Sequence, residues 1–119
     1  MDWKLSDDRP IWLQLSQQLA RRIVTGIYPP GSRLPSVREL AAAAGVNPNT
    51  MQRALAQLEQ DGLAKADRTA GRLVTQDTEV LDRVRRGEAR SVIRQYLDAM
   101  AALGYSRERA AELLKEEFQ

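Results

Sequence analysis

Asn47, Asn49, Thr50, Gln52 and Arg53 crowd one short stretch of the chain, all of them hydrogen-bonding side chains. Amide side chains pair with adenine edges and an arginine fork with guanine, so these types suit the reading of bases in a major groove. Arg33, Ser36 and Arg38 lie just upstream, and Arg68, Gly71 and Arg72 downstream. Other chemistry lacks its parts. With no His and no Cys, the commonest general base and transition-metal ligand are missing, and thiolate nucleophiles and disulfides are excluded. Only scattered carboxylates remain for a metal. No catalytic residue, metal site or cofactor is expected.

Two short helices must position these groups. Asn47 is a good N-cap and Pro48 suits a first helical position, while Met51, Leu55 and Leu58 form a stripe that must be buried. Asn47, Asn49, Thr50, Gln52 and Arg53 all lie off that stripe, and Gly62 closes the helix. The preceding helix starts at a capping box, Ser36-Val37-Arg38-Glu39, with Val37, Leu40, Ala41 and Ala44 inward. Gly45 ends it in a left-handed conformation. Two helices joined by Gly45-Val46-Asn47 have the spacing of a helix-turn-helix.

A first helix is expected from Pro10, capped by Asp7 or Asp8, to about Thr25-Gly26. Ile11, Leu15, Leu19 and Ile23 give it one apolar stripe, with Trp12 and Ile27 nearby. Tyr28-Pro29-Pro30-Gly31 follows as a rigid turn. After Gly62 the period changes, and residues 63–66 and 72–75 read as two short strands around Asp67-Arg68-Thr69-Ala70-Gly71. Ala and Lys give little β propensity, so the hairpin is weakly specified. The tail reads as two helices, one from about Thr78 to Leu103 and one after the Gly104 break, capped by Ser106. Gly87 weakens the longer one by about 1 kcal/mol relative to Ala.

The 119 residues fit one ordinary domain with a small appendage, and the division is expected after Gln76. Hydrophobic (43%) and charged (29%) fractions are those of a soluble globular protein. No apolar run approaches the roughly 20 residues of a membrane span, and Met1-Asp2-Trp3-Lys4 does not start a signal peptide, so a cytoplasmic protein with no membrane partner is expected. A pI near 9.3 says little when so few groups titrate near neutrality. The distribution says more. Residues 1–76 hold 10 basic and 7 acidic side chains (+3), and residues 77–119 hold 8 and 9 (−1).

From Pro30-Gly31-Ser32-Arg33-Leu34-Pro35-Ser36-Val37-Arg38-Glu39-Leu40-Ala41 through Gly45-Val46-Asn47-Pro48-Asn49-Thr50, Arg53-Ala54-Leu55, Leu58-Glu59 and Gly62-Leu63, the chain closely resembles the GntR family of repressors. The resemblance spans about residues 9–75. The Asn-Pro-Asn-Thr stretch and the brief tail resemble its YtrA-like branch. The resemblance implies a mainly α fold with a small β-hairpin: a winged helix-turn-helix followed by a two-helix dimerisation tail. It implies that Arg38 contacts DNA. Two departures stand out. Many relatives have Arg where this chain has Gln52, which removes a guanine-reading fork. The wing of relatives reads Gly-x-Gly, whereas Thr69-Ala70-Gly71 keeps only the second glycine, which counts against a tight wing inserted into the minor groove.

The sequence therefore predicts a dimeric regulator of double-stranded DNA, a repressor on an inverted repeat. Its DNA-facing residues are Arg33, Ser36, Arg38, Asn47, Asn49, Thr50, Gln52, Arg53, Arg68, Gly71 and Arg72. Arg33 and the second helix's N-terminus are suited to phosphates, and Arg68 and Arg72 to the backbone or minor groove. Arg21 and Arg22 are expected to be solvated. Ile93, Tyr96, Leu97, Met100 and Leu103, with Leu113, Leu114 and Phe118, are expected to pair two copies into a homodimer, and Ala110 shares the last stripe. These stripes enclose too little volume for a deep ligand pocket, and no residue names an effector. The alternatives are a winged helix that contacts only protein, which a more acidic or apolar third helix would favour, and a remnant of a pyridoxal-phosphate enzyme, for which no cofactor domain is expected.

Overall fold

The computed structural model describes residues 2–119. Helices α1 (Ile11–Val24), α2 (Val37–Ala44) and α3 (Pro48–Gln60) are followed by strands β1 (Ala64–Asp67) and β2 (Gly71–Val74), then by α4 (Thr78–Ala102) and α5 (Arg107–Glu116). The chain divides into two compact units, the first ending at Arg85 and the second spanning Arg86–Gln119, with the division inside α4. Packing of the first unit thus continues past Gln76. Leu81 is buried in its core with Val80 and Val84 against it, and Arg85 Nη2 donates to the Val24 carbonyl at 2.6 Å.

The core of the first unit is the set of stripes on the three helices. Leu15, Leu19 and Ile23 of α1 meet Leu40 and Ala41 of α2 and Met51, Ala54, Leu55 and Leu58 of α3, and Leu34, Leu63 and Val74 close the end beneath the hairpin. Each buried aliphatic side chain contributes about 1.5–3 kcal/mol, so the helix spacing is fixed by these contacts rather than by propensity. α2 starts on Ser36, whose Oγ accepts the Glu39 N–H at 3.1 Å, and stops at Gly45, left-handed at φ +69°. α3 starts on Asn47, whose Oδ1 accepts the Asn49 N–H at 2.7 Å.

The start of α1 differs from expectation. Neither Asp7 nor Asp8 caps it; Pro10 holds the cap position without a side-chain bond, and Asp8 instead accepts the Ser6 hydroxyl. Gln14, almost fully buried, does the anchoring. Its Nε2 donates to the Arg9 and Ser6 carbonyls at 2.7 and 2.8 Å, and its Oε1 accepts the Ser6 N–H at 2.9 Å. Gln18 similarly grips both backbone groups of Lys4. The leading segment is thereby laid along α1. Trp3 in turn covers Arg22, whose guanidinium carbon lies 3.7 Å from the ring centroid. Arg22 is 8% exposed and donates to Tyr28 Oη, so the expectation that it is solvated is corrected.

β1 and β2 pair antiparallel, Ala64 opposite Val74 and Asp67 opposite Gly71. The strands begin and end one residue from the expected 63–66 and 72–75. Leu63 instead bonds Thr75 backbone to backbone, and Gly71 is needed at the turn. A third edge was not legible. The Val74 N–H donates to Ser32 O and the Leu34 N–H to Arg72 O, so residues 32–34 lie along the other side of β2.

In the second unit, Ser106 caps α5 by accepting the Arg109 N–H at 3.1 Å, after Gly104 turns the chain at φ +93°. Ala110 is fully buried and its carbonyl accepts the Tyr96 hydroxyl at 2.6 Å. Tyr96, Leu97, Met100 and Leu113 are half-buried. Ile93, Leu103, Leu114 and Phe118 stay exposed, Phe118 at 83%. Among the described residues, no helix is long and apolar enough to cross a membrane.

Candidate nucleic-acid interface

Burial of Met51, Ala54, Leu55 and Leu58 orients α3. It leaves Asn49, Gln52 and Arg53 exposed and Thr50 half-buried. Asn49 and Arg53 are four residues apart and Asn49 and Gln52 three, so the three share a face. Asn47 stands at the head of this face. Its side-chain oxygen accepts the cap hydrogen bond, which leaves the amide N–H groups of this exposed residue as donors. Ser36 is likewise the α2 cap and keeps a hydroxyl proton to donate. Arg53 does not extend freely: its guanidinium carbon lies 4.2 Å from the centroid of Trp12, near the start of α1.

Arg38, in the first turn of α2, is exposed and forms no ion pair among the described residues. Glu59, the acidic residue of α3, is already engaged. Glu59 Oε1 accepts Arg72 Nε at 2.5 Å. That pair accounts for Arg72: the side chain is half-buried and drawn toward α3 rather than outward. Arg33, Ser36, Gly71 and Arg72 nevertheless meet, lining one groove between the start of α2 and the hairpin. Arg33 Nε is close enough that a Cβ on Gly71 would lie 3.7 Å away. Arg68, at the hairpin tip, stands apart from that groove and is exposed.

The missing first glycine of the wing does not loosen it. Residues 68–70 form a three-residue loop in which Gly71 alone takes positive φ, +83°. Thr69 therefore needs no glycine. Asp67 supplies the closure: one carboxylate oxygen accepts the Thr69 and Ala70 N–H groups and the Thr69 hydroxyl, each at 2.9 Å. These donors favour the charged form and hold the Asp67 carboxyl below its ordinary value of 3.8. The turn is thus closed without the first glycine. The signal was present as Asp67-x-Thr69, an aspartate able to bond its own backbone two residues on.

Three helices with a paired hairpin behind the third form a winged helix-turn-helix, the architecture of a DNA-binding domain. Residues 12–74 match the profile of the bacterial regulatory proteins of the gntR family. The HTH-type transcriptional regulator YhcF of Bacillus subtilis is 34% identical over 115 residues, covering 97% of this chain and 95% of YhcF. The chain belongs to the GntR family and is a transcriptional regulator with a DNA-binding domain. The HTH-type transcriptional repressor YtrA of B. subtilis is 40% identical over 68 residues, covering 57% of this chain and 52% of YtrA. Among solved structures, a GntR family transcriptional regulator from Listeria monocytogenes superposes with a TM-score of 0.81 at 33% identity, covering 94% of this chain and 98% of that one. The DNA-binding domain of AraR in complex with operator ORX1 gives 0.54 at 25% identity, over 63% and 92% of the two chains. These relatives are regulators rather than enzymes. Among the described residues, no group of three acidic side chains is placed to hold a metal ion.

Proposed function

We propose that two copies of this chain bind an inverted repeat in double-stranded DNA and repress transcription from it, in the cytoplasm where the chromosome lies. The observation that supports this most directly is the outward polar face of α3, Asn49, Gln52 and Arg53, fixed by the fully buried Met51, Leu55 and Leu58 behind it. Asn49 and Gln52 read base edges, and Asn47 and Thr50 support them at the head of the helix. Arg38 joins them from α2, its guanidinium having no protein carboxylate to satisfy it. Arg33 and the Ser36 end of α2 meet phosphates, and Arg68 reaches the backbone or minor groove from the wing tip beyond Gly71. Arg72 sets the wing through Glu59.

Dimerisation is assigned to the second unit. Ala110 is fully buried and Tyr96, Leu97, Met100 and Leu113 are half-buried, while Ile93, Leu103, Leu114 and Phe118 remain in water unless a second copy covers them. Two-fold symmetry then sets half-sites about 10 bp apart. The repressor assignment follows YtrA, a transcriptional repressor. Footprinting on duplexes selected by the intact chain from a randomised pool, with sedimentation at micromolar concentration, tests the reading. A protected palindrome and a dimer are expected; protection with no two-fold pattern, or a monomer on the operator, overturns it.

A further inference from the structure

Trp12 is not among the DNA-facing residues assigned above, yet it is half-buried at the start of α1 with the Arg53 guanidinium carbon 4.2 Å from its ring centroid. The two residues belong to different helices of the first unit and are 41 positions apart (53 − 12). Arg53 makes no ion pair among the described residues, and its guanidinium lies over the indole instead. We propose that Trp12 is a positioning residue that holds Arg53 to one side of α3 to contact a DNA phosphate rather than a base. This rests on the reading of α3 as the recognition helix.

Stacking occupies the face of a guanidinium and leaves its rim free. Its N–H donors lie in the plane, and that planar fork matches two oxygens of a phosphate. A helix in the major groove reads bases with its N-terminal residues, here Asn49 and Gln52. Arg53 follows Gln52 directly, one turn past Asn49, and is drawn sideways onto Trp12 of α1, so in this proposal it meets the sugar–phosphate backbone at the groove wall rather than a base. To reach a guanine edge it has to leave the ring. A free arginine side chain loses rotamer entropy when it is fixed, and Trp12 has removed part of that loss before DNA arrives. The ordered guanidinium then adds affinity without adding sequence preference.

The test is a double-mutant cycle in the full chain with Trp12→Leu and Arg53→Ala. The probes are a duplex selected by the wild-type chain from a randomised pool and a scrambled duplex of equal composition. Arg53→Ala should weaken binding to both by the same factor, about tenfold, and reduce the slope of log affinity against log salt by about 0.9, the loss of one phosphate contact. Trp12→Leu should weaken both roughly two- to fivefold, the range of an exposed cation–π contact, and cost nothing further once Arg53 is alanine. Arg53→Lys carries the test if the Leu variant does not fold. Keeping the charge but not the stacked fork, it should retain the salt slope and still lose affinity. The proposal is overturned if Arg53→Ala acts on the selected duplex alone, if the Trp12 and Arg53 effects add in full, or if Arg53→Lys matches wild type. A wild-type chain that binds no duplex overturns this proposal and the recognition-helix reading together; operator binding indifferent to Trp12 overturns this one alone.

Discussion

Arg72 Nε donates to Glu59 Oε1, joining the middle of the hairpin to the last turn of α3 across thirteen residues of sequence. The side chains are 20% and 33% exposed, so the pair is sheltered without being desolvated. It couples the direction of the wing to that of α3.

Glu59→Ala leaves a sheltered guanidinium without its acceptor. A loss of about 1 kcal/mol is expected, below the range for a fully buried charge because water reaches both groups. The urea midpoint should fall with little change in slope. A midpoint equal to wild type shows that water replaces the carboxylate at no cost.

The wing tip should respond to acid in a definite direction. The folded Asp67 carboxyl is held below its ordinary 3.8 by the Thr69 and Ala70 donors. A depressed folded value means that the stabilisation is fully present above the unfolded value, near pH 4, and is lost as pH falls through the folded one. Amide exchange at Thr69 and Ala70, followed by NMR, should therefore quicken relative to the rest of the chain below pH 4. Asp67→Ala should show the quicker exchange already at neutral pH. Equal protection in the two proteins means the tip is held by Gly71 and the ladder alone.

Arg38→Ala should weaken operator binding by about 1–3 kcal/mol if the side chain reads a base, and uniformly on all duplexes if it meets phosphate. Gln52→Arg should change the preferred sequence rather than abolish binding, since it restores a guanine-reading fork. Selection on randomised sites decides. An unchanged consensus for the Gln52 variant removes that residue from the base-reading set.

In the second unit, Leu103→Glu combined with Phe118→Glu alters two side chains that are 72% and 83% exposed. The fold of a single chain should tolerate both, and helicity should persist. Sedimentation should shift from dimer to monomer, and affinity for the two-half operator should fall toward that for one half-site. A dimer that survives both substitutions places the interface elsewhere.

What could be read from the sequence followed short-range rules. The Ser36 and Asn47 caps, the Gly45 turn and the stripes of α3 depend on neighbours within four residues, and each formed as expected. What the sequence does not announce is contact between distant segments. Nothing near Arg22 announces that Trp3 will cover it, and nothing near Arg72 announces Glu59. The cap of α1 failed for a related reason. Asp8 bonds Ser6 next to it, and the helix start is instead anchored by Gln14 reaching back from within. Residues 32–34 look like a loop alone and become a strand edge only because β2 is already there.

The closure of the wing by Asp67 and Gly71 bears on how such a regulator can diverge. The carboxylate acceptor and the left-handed glycine set the backbone, and Thr69 adds its hydroxyl. Arg68 makes no side-chain bond there, and Ala70 offers only the N–H that nearly every residue has. Those two tip positions are therefore open to drift. Duplicated copies could acquire different tips, and with them different preferences beside the operator, without relearning how to fold.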